Sequence, residues 1–296
     1  MGIDLRQLSQ ALADVVARAG RSVVRVEGGR RRAGSGVVLS PQRVITAAHV
    51  LRGDQVSVGL EGEVRSAKVK GVDPTTDLAL LEVDGAPLTP ATFSDGAALT
   101  VGQLALQLGR PGETVRATSG IISVRGRQKV RLAQGGELDF WLEADAPHQP
   151  GFSGGALLDA GGEVVGLVTT ALVRGTSVAI PTVTLQRVAA QLEAHGKPRQ
   201  SWLGATLQPL TLPGDVQAST GEELGLLVAA VAPGGPAEQS GLRYGDTVLH
   251  LGDDTVKTLD DLYAYLRADH VGQTVPVTLY RQGRVEKVQV TLGARP

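Results

Sequence analysis

Short β-branched runs broken by glycine, the scarcity of helical stretches between them, and a polar, proline-bearing break near residue 197 predict a mainly β chain in two parts. The first part reads as an antiparallel barrel or sandwich, the second as a smaller α+β module. A length of 296 residues suits two domains, and 42% hydrophobic content supplies a core for each. With 29 basic and 30 acidic residues the formal charge is -1, so no global field recommends nucleic acid or an anionic membrane as a partner. The triplet Arg30-Arg31-Arg32 is read as a solvated loop. Zero cysteines exclude disulfides, thiol catalysis and cysteine-ligated metals. Met1 to Arg6 lacks an apolar h-region, and no run of about 18 apolar residues follows, so neither a signal peptide nor a membrane span is expected. The chain as it stands is expected in the cytoplasm, or in the cell envelope or periplasm if a targeting segment has been trimmed.

Taken in order, Leu5, Leu8, Leu12, Val15 and Val16 fall at helical spacing, which predicts an amphipathic N-terminal helix over residues 1–20 with its apolar face on a core. Strands are expected at Ser22–Val26, Gly36–Leu39, Arg43–Thr46, Gln55–Leu60, Val64–Val72 and Leu78–Val83. More follow at Leu104–Leu108, Val115–Val124, Val164–Thr170 and Ser177–Ile180. Leu185, Val188 and Leu192 mark a second helix over Thr182–His195 that closes the first domain, 21–196. Residues 197–201 read as a linker because Pro198 stops the helix. From 202 to 296 the expectation is strand-like Trp202–Leu207 and Gly225–Val231, a short helix at Pro236–Gly241, a strand at Thr247–Leu251, a helix at Leu259–Arg267 and a closing hairpin turning at Gln282-Gly283.

The stretch Gln149-Pro150-Gly151-Phe152-Ser153-Gly154-Gly155 carries the chemistry. Glycines on both sides permit a sharp exposed turn, and a serine on such a turn is a nucleophile if a base takes its proton. Five histidines compete for that role: His49, His148, His195, His250 and His270. His49 stands at a strand end beside small alanines, His195 at a helix C-terminus where a cation is favoured, and His250 and His270 in the second domain. His148, five residues before the serine, is the competitor. Of two acids, Asp73 before Pro74 reads as a turn residue, while Asp77 abuts an apolar strand, where a carboxylate can hold a histidine's tautomer. Gly151-x-Ser153-x-Gly155 also fits the nucleophile elbow of α/β-hydrolases. That reading fails because Pro147 and Pro150 break any preceding strand and Ala156–Val168 reads as a hairpin, not a helix.

Three blocks, Thr46-Ala47-Ala48-His49-Val50, Asp73-Pro74-Thr75-Thr76-Asp77-Leu78-Ala79-Leu80 and Pro150-Gly151-Phe152-Ser153-Gly154-Gly155-Ala156-Leu157, together resemble the HtrA/Deg family of chymotrypsin-like serine proteases. Gly109-Arg110-Pro111-Gly112 through Ser123, Ala144-Asp145-Ala146, Val165–Thr170 and Ala179-Ile180-Pro181 extend the likeness. The resemblance implies two six-stranded barrels with His49 as base, Asp77 as orienter and Ser153 as nucleophile. It implies an oxyanion hole from the amides of Gly151 and Ser153. It also implies a specificity pocket, for which His148 and the apolar Leu167, Val168 and Val178 are the candidates, with aliphatic residues preferred before the cut.

Residues from Ser201 on resemble the PDZ domain that follows the protease in this family, with Trp202-Leu203-Gly204-Ala205 in place of the carboxylate-binding loop and Gly241–Asp246 as its characteristic turn. A peptide C-terminus would add there as a strand, with Leu262, Tyr265 and Leu266 as groove-wall candidates. The implied activity is a serine endopeptidase acting on unfolded or damaged polypeptides, with no metal or organic cofactor. The alternatives are a proteolytically silent peptide-binding or chaperone-like protein, and an esterase on the same fold. Phe152 departs from the family, which has asparagine there, as do Pro147 and His148. Family members trimerise through aromatic-rich N-termini, whereas the first aromatic residue here is Phe93, so a homotrimer is an expectation only.

Overall fold

The computed structural model describes residues 4–29, 33–53, 55–132, 137–173, 178–199, 201–267 and 270–295, so the triplet Arg30–Arg32 lies outside the described residues. The chain divides into two units, Met1–Pro198 and Arg199–Pro296.

In the first unit, α1 (Leu5–Ala19) starts where Asp4 Oδ1 accepts the Arg6 amide at 2.9 Å, a side-chain cap for an otherwise unpaired helix N-terminus. The expected apolar face is only half used: Leu12, Val15 and Val16 pack on the core, while Leu5 and Leu8 stay exposed. Six antiparallel strands then close a barrel: β1 (Val23–Glu27), β2 (Gly34–Ser40), β3 (Arg43–Ala47), β4 (Val56–Leu60), β5 (Glu63–Asp73) and β6 (Leu78–Val83), in the order β1-β2-β3-β6-β5-β4. The β4–β5 turn places Glu61 and Gly62 at φ 51° and 87°, the left-handed pair that a tight hairpin requires.

The second sheet contains β7 (Leu104–Gly109), β8 (Arg116–Arg125), β9 (Leu142–Ala144), β10 (Ala156–Leu158), β11 (Val164–Thr169) and β12 (Val178–Pro181), in the order β9-β8-β7-β10-β11-β12. β9 and the two-residue ladder of Val130–Arg131 with Glu137–Leu138 were not predicted, because runs this short carry no alternation. α2 (Thr182–His195) ends at Gly196 with φ 71°. Arg43 fastens it with a forked pair of hydrogen bonds to Glu193, at 2.7 and 2.9 Å.

Strand alternation sorts the apolar residues into three cores. Val24, Val26, Val38, Val44 and Leu81 fill the first barrel, and Ala105, Ile122, Leu142, Leu157 and Val168 fill the second. The opposite faces of the same strands, with Val37, Ile45, Leu80, Leu108, Leu158 and Leu167, meet between the barrels together with Leu185, Val188 and Leu192 of α2. The two sheets are therefore pressed together along β2, β3 and β6 of one and β7, β10 and β11 of the other, and the strand ends that bear His49, Asp77 and Ser153 lie along that seam.

Arg110 ties the start of the chain to the loop after β7. Its guanidinium donates to the carbonyls of Val23, Glu113 and Gly20 at 2.7, 2.6 and 2.8 Å, and burial pushes its pKa down.

The second unit is a six-stranded antiparallel sheet, five of whose strands run in the order β13-β14-β15-β16-β17: β13 (Ala205–Thr211), β14 (Leu224–Val231), β15 (Thr247–Leu251), β16 (Thr274–Arg281) and β17 (Arg284–Thr291), while the two-residue strand Asp254–Thr255 pairs with β15. α3 (Gly214–Thr220), α4 (Pro236–Gln239) and α5 (Leu259–Arg267) complete it. Ser201, the last residue of the expected linker, and Trp202 form a short strand paired with Gly293–Ala294. α3 was not predicted; its seven residues bury only Val216 and give no periodic stripe. The closing hairpin turns at Gln282-Gly283 with φ 46° and 87°. Asp246, buried, accepts both arms of the Arg281 guanidinium at 2.7 Å and fixes the Gly241–Asp246 turn by also accepting the Arg243 amide.

Replacing Arg110 by methionine removes its hydrogen bonds to three carbonyls at a buried site, that of Gly20 keeping the Val23 amide, and urea unfolding at neutral pH is expected to show a loss of about 3 kcal/mol. A loss below about 1 kcal/mol would mean that water satisfies those carbonyls.

Candidate active site

β3 runs apolar to Ala47 and stops in a single turn, Ala48–Val50, which turns His49 out of the barrel wall and leaves its side chain 31% exposed. Asp77 immediately precedes β6, antiparallel to β3, with φ 58°, a left-handed conformation unusual for a residue with a side chain. Asp73 holds the preceding turn: its Oδ1 accepts the Thr75 amide and hydroxyl at 2.9 and 2.5 Å, and its Oδ2 accepts the Thr76 hydroxyl at 2.6 Å. The turn role predicted for Asp73 is what the geometry gives it.

Thus placed, the Asp77 carboxylate is only 4% exposed and is fully engaged. Oδ1 accepts the His49 amide at 2.9 Å, and Oδ2 meets His49 Nδ1 at 2.8 Å. Thr169, at the end of β11, donates its hydroxyl to the same Oδ2 at 2.5 Å, and the Asp77 carbonyl accepts the Ala48 amide at 2.9 Å. With Nδ1–H bound to a carboxylate, the Nε2 of a neutral His49 carries the lone pair of a base. Thr169 was not anticipated from the sequence; its signal was the first of two threonines ending the apolar run Val164–Val168.

The serine turn is built by close approach. Gly151 and Gly154 have φ 89° and 85°. A Cβ on Gly154 would lie 2.0 Å from the Ser35 carbonyl oxygen, and one on Gly155 would lie 2.1 Å from that of Leu108, so only glycine fits at either place. The Gly154 amide donates to Val168 at 2.8 Å and the Gly155 amide to Phe152 at 2.8 Å, while the Ser35 amide donates to the Ser153 carbonyl at 2.9 Å. These bonds set Ser153 against Ser35 and Val168, beside the strand ends that present His49 and Thr169. Among the described residues neither the Gly151 nor the Ser153 amide donates a backbone hydrogen bond. Nor does a direct hydrogen bond join Ser153 Oγ to the His49 ring, a contact that in free enzymes is commonly long and tightens with substrate.

Phe152 is 0% exposed, and its ring packs against Gly109 and edge-on to His148 at 6.1 Å between centroids. The bulky ring beside the nucleophile is thus fully buried between Gly109 and His148. His148 is half-buried; burial, and secondarily the charge of His49, hold its pKa below the ordinary histidine value. The other pocket candidates separate. Leu167 pairs with Ile180, Val168 with Ala179 and Thr169 with Val178 across β11 and β12, so Leu167 and Val178 face one side of the sheet and Val168 the other. Leu167 belongs to the core between the barrels, and Val168 to the core of the second sheet.

In the second unit, Trp202, Leu203, Ala205 and Leu207 face Leu259, Leu262, Tyr263 and Leu266 of α5 across a groove of about 380 Å³, with Arg295 at its wall. Gly204, in the loop between them, has φ 80°. Tyr265 does not line this groove. It is 7% exposed in the domain's own core, stacked on His270 at 4.6 Å, and Tyr263 takes the place expected for it.

Residues 34–167 match the family described as a trypsin-like peptidase domain, and residues 201–292 match the PDZ domain. The protein HhoB of Synechocystis sp. is 35% identical over 277 residues, covering 89% of this chain and 67% of that one. The chain belongs to the HtrA family of serine proteases. A DegP-like protein of Brucella suis is 34% identical over 278 residues, and there this chain spans 53% of the relative's length. Among solved structures, the HtrA-type protease AlgW, determined with a decapeptide, superposes with a TM-score of 0.70 at 28% identity over 96% of this chain and 98% of that one. The serine endoprotease of Yersinia pestis gives 0.70 at 28% identity over the whole of both chains. The HtrA match accounts for the two barrels, the chain order of histidine, aspartate and serine, and the single PDZ module seen here.

Because the folded pKa of His148 lies below its unfolded value near 6.5, the unfolded chain binds a proton more readily, and stability falls as pH drops through 6.5 toward the folded pKa. His148→Gln is expected to flatten that part of the stability profile, read by urea unfolding at pH 7.5 and 5.5. An unchanged slope would show that His148 is not its source.

Proposed function

We propose that this HtrA-family chain is a serine endopeptidase that cleaves unfolded or damaged polypeptides through an acyl-enzyme on Ser153. The observation that carries the reading is the His49–Asp77 pair, whose carboxylate is spent on the His49 ring and amide and on Thr169, beside a glycine turn that presents Ser153. Ser153 Oγ attacks the scissile carbonyl carbon as its proton passes to His49 Nε2. The tetrahedral oxyanion is held by the amides of Gly151 and Ser153, each donor worth about 3 kcal/mol. Collapse breaks the C–N bond, and the leaving amine takes the proton from His49. Water then attacks the ester carbon, giving a proton to His49 that returns to Ser153 as the acid leaves. His49 is the base, and Asp77 fixes its tautomer and stabilises the imidazolium.

The PDZ groove is assigned to peptide C-termini: loop amides from Trp202 to Ala205 receive the carboxylate, the peptide adds along β13, and Leu262 and Leu266 take an apolar side chain. Support comes from the groove's apolar walls and from the peptide in the AlgW structure. Assembly as a homotrimer, carried over from the family, belongs to the same proposal.

A fluorophosphonate probe is expected to label Ser153 in the full chain, and labelling should vanish in Ser153→Ala and His49→Ala. Absent labelling of the unmodified chain would leave the silent peptide-binding reading, and labelling with ester but no casein hydrolysis would leave the esterase. Leu266→Asp is expected to weaken binding of a hydrophobic C-terminal peptide more than tenfold while Ser153 labelling persists; unchanged affinity would move the peptide site elsewhere.

A further inference from the structure

Ser35 of β2 is wholly buried and stands between two glycines, Gly34 and Gly36, in a stretch that none of the roles above requires to be polar. All of its hydrogen-bonding capacity is nevertheless used around the nucleophile. Its hydroxyl donates to the Gly151 carbonyl at 2.7 Å and accepts the Arg110 amide at 2.7 Å. Its amide donates to the Ser153 carbonyl at 2.9 Å, and its own carbonyl accepts the Thr46 hydroxyl at 2.6 Å. We infer that Ser35 is a positioning residue that sets the oxyanion hole, by fixing from the first barrel the carbonyls on both sides of Phe152. The inference rests on the proposed role of the Gly151 and Ser153 amides.

Peptide planarity makes the N–H and C=O of one trans unit point in opposite directions. In the Phe152–Ser153 unit the Phe152 carbonyl is held by the Gly155 amide at 2.8 Å, so the Ser153 N–H is turned to the other side. In the Gly151–Phe152 unit the Phe152 amide donates to Gln149 at 3.0 Å and the Gly151 carbonyl receives the Ser35 hydroxyl, which pins both ends. The Pro150–Gly151 unit, bearing the second hole amide, is then joined to that fixed plane through one residue only. That residue is a glycine at φ 89°, which by itself resists rotation little. The hydroxyl of Ser35 is the side-chain group that keeps the plane beyond it from turning.

The hydroxyl is itself held. A serine hydroxyl has one proton to give and room to accept, so the run Arg110 N–H to Ser35 Oγ–H to Gly151 O is a chain in which each bond strengthens the next. Arg110 is immobilised in turn by the three carbonyls that its guanidinium binds. Ser35 touches neither substrate nor the reacting atoms, and it acts through Gly151. Removing the hydroxyl should therefore disturb what is bound in the transition state and leave the bound substrate alone.

The test uses the full chain and a fluorogenic casein, with four proteins compared: unmodified, Ser35→Ala, Ser35→Thr and Thr182→Val. Thr182 donates a buried hydroxyl to Val164 at 2.8 Å in the same unit and serves as a match for lost stability. Ser35→Ala is expected to lower kcat about tenfold at unchanged KM and to slow fluorophosphonate labelling of Ser153 by a similar factor. Ser35→Thr, which keeps the hydroxyl, should recover kcat to within about threefold, and Thr182→Val should keep it within twofold despite a lower Tm. The inference is overturned by any of three results: a kcat within twofold in Ser35→Ala, a change confined to KM, or an equal kcat loss in Thr182→Val. It is overturned also if Ser35→Thr matches the unmodified Tm yet is as slow as Ser35→Ala. An unmodified chain that the probe does not label would refute the peptidase reading and this one with it, whereas a labelled chain indifferent to Ser35→Ala refutes this one alone.

Discussion

Backbone crowding at the Ser153 turn is the constraint on which the rest of the first unit depends. Gly154 and Gly155 sit where a Cβ would fall 2.0 and 2.1 Å from the carbonyl oxygens of Ser35 and Leu108, one in each barrel. Such an approach needs two barrels already pressed together, and it is the apolar core between them, with Ile45, Leu80, Leu108 and Leu167, that presses them. Burying those side chains contributes roughly 2 kcal/mol each, enough to hold a turn that gains little from its own contacts. The turn and the seam specify each other: a larger residue at 154 or 155 would pry apart the surfaces whose contact the turn requires.

Asp77 shows the same economy on the first barrel. Its left-handed backbone costs on the order of 1 kcal/mol, and the turn that Asp73 ties with Thr75 and Thr76 offsets it. The gain is a carboxylate delivered inward at the seam, where Thr169 from the second barrel and His49 from the first converge on it. Neither barrel holds the whole constellation. Phe152 belongs in this account as well, since its fully buried ring anchors the peptide between Gly151 and Ser153 from below.

Much of this was legible in the sequence. The β character, the two helices of the first unit, the closing hairpin of the second and the turn at Asp73 follow from local signals: alternation, a proline-bearing turn, a Gln-Gly pair. What escaped was either too short to alternate, as at Leu142–Ala144, or made by strands far apart in the chain. Ser35 and Gly151 are 116 residues apart, and nothing near Ser35 announces its partner. Thr169 is hidden the same way, 92 residues from Asp77. Apolar character alone does not tell which face of a strand Leu167, Val168 and Val178 occupy, and the register with β12 does. Tyr265 and Tyr263 exchanged places for the related reason that α5 has apolar residues on two faces, and only packing decides which face the groove receives.

The central claim is that the seam assembles a working nucleophile from groups that neither barrel could hold alone. Its most direct measurement is the pre-steady-state burst with a p-nitrophenyl ester, in which acylation of Ser153 releases nitrophenolate before turnover sets in. The account predicts a burst close to one equivalent per chain, abolished by His49→Ala. Steady release without a burst, surviving Ser153→Ala, would contradict it.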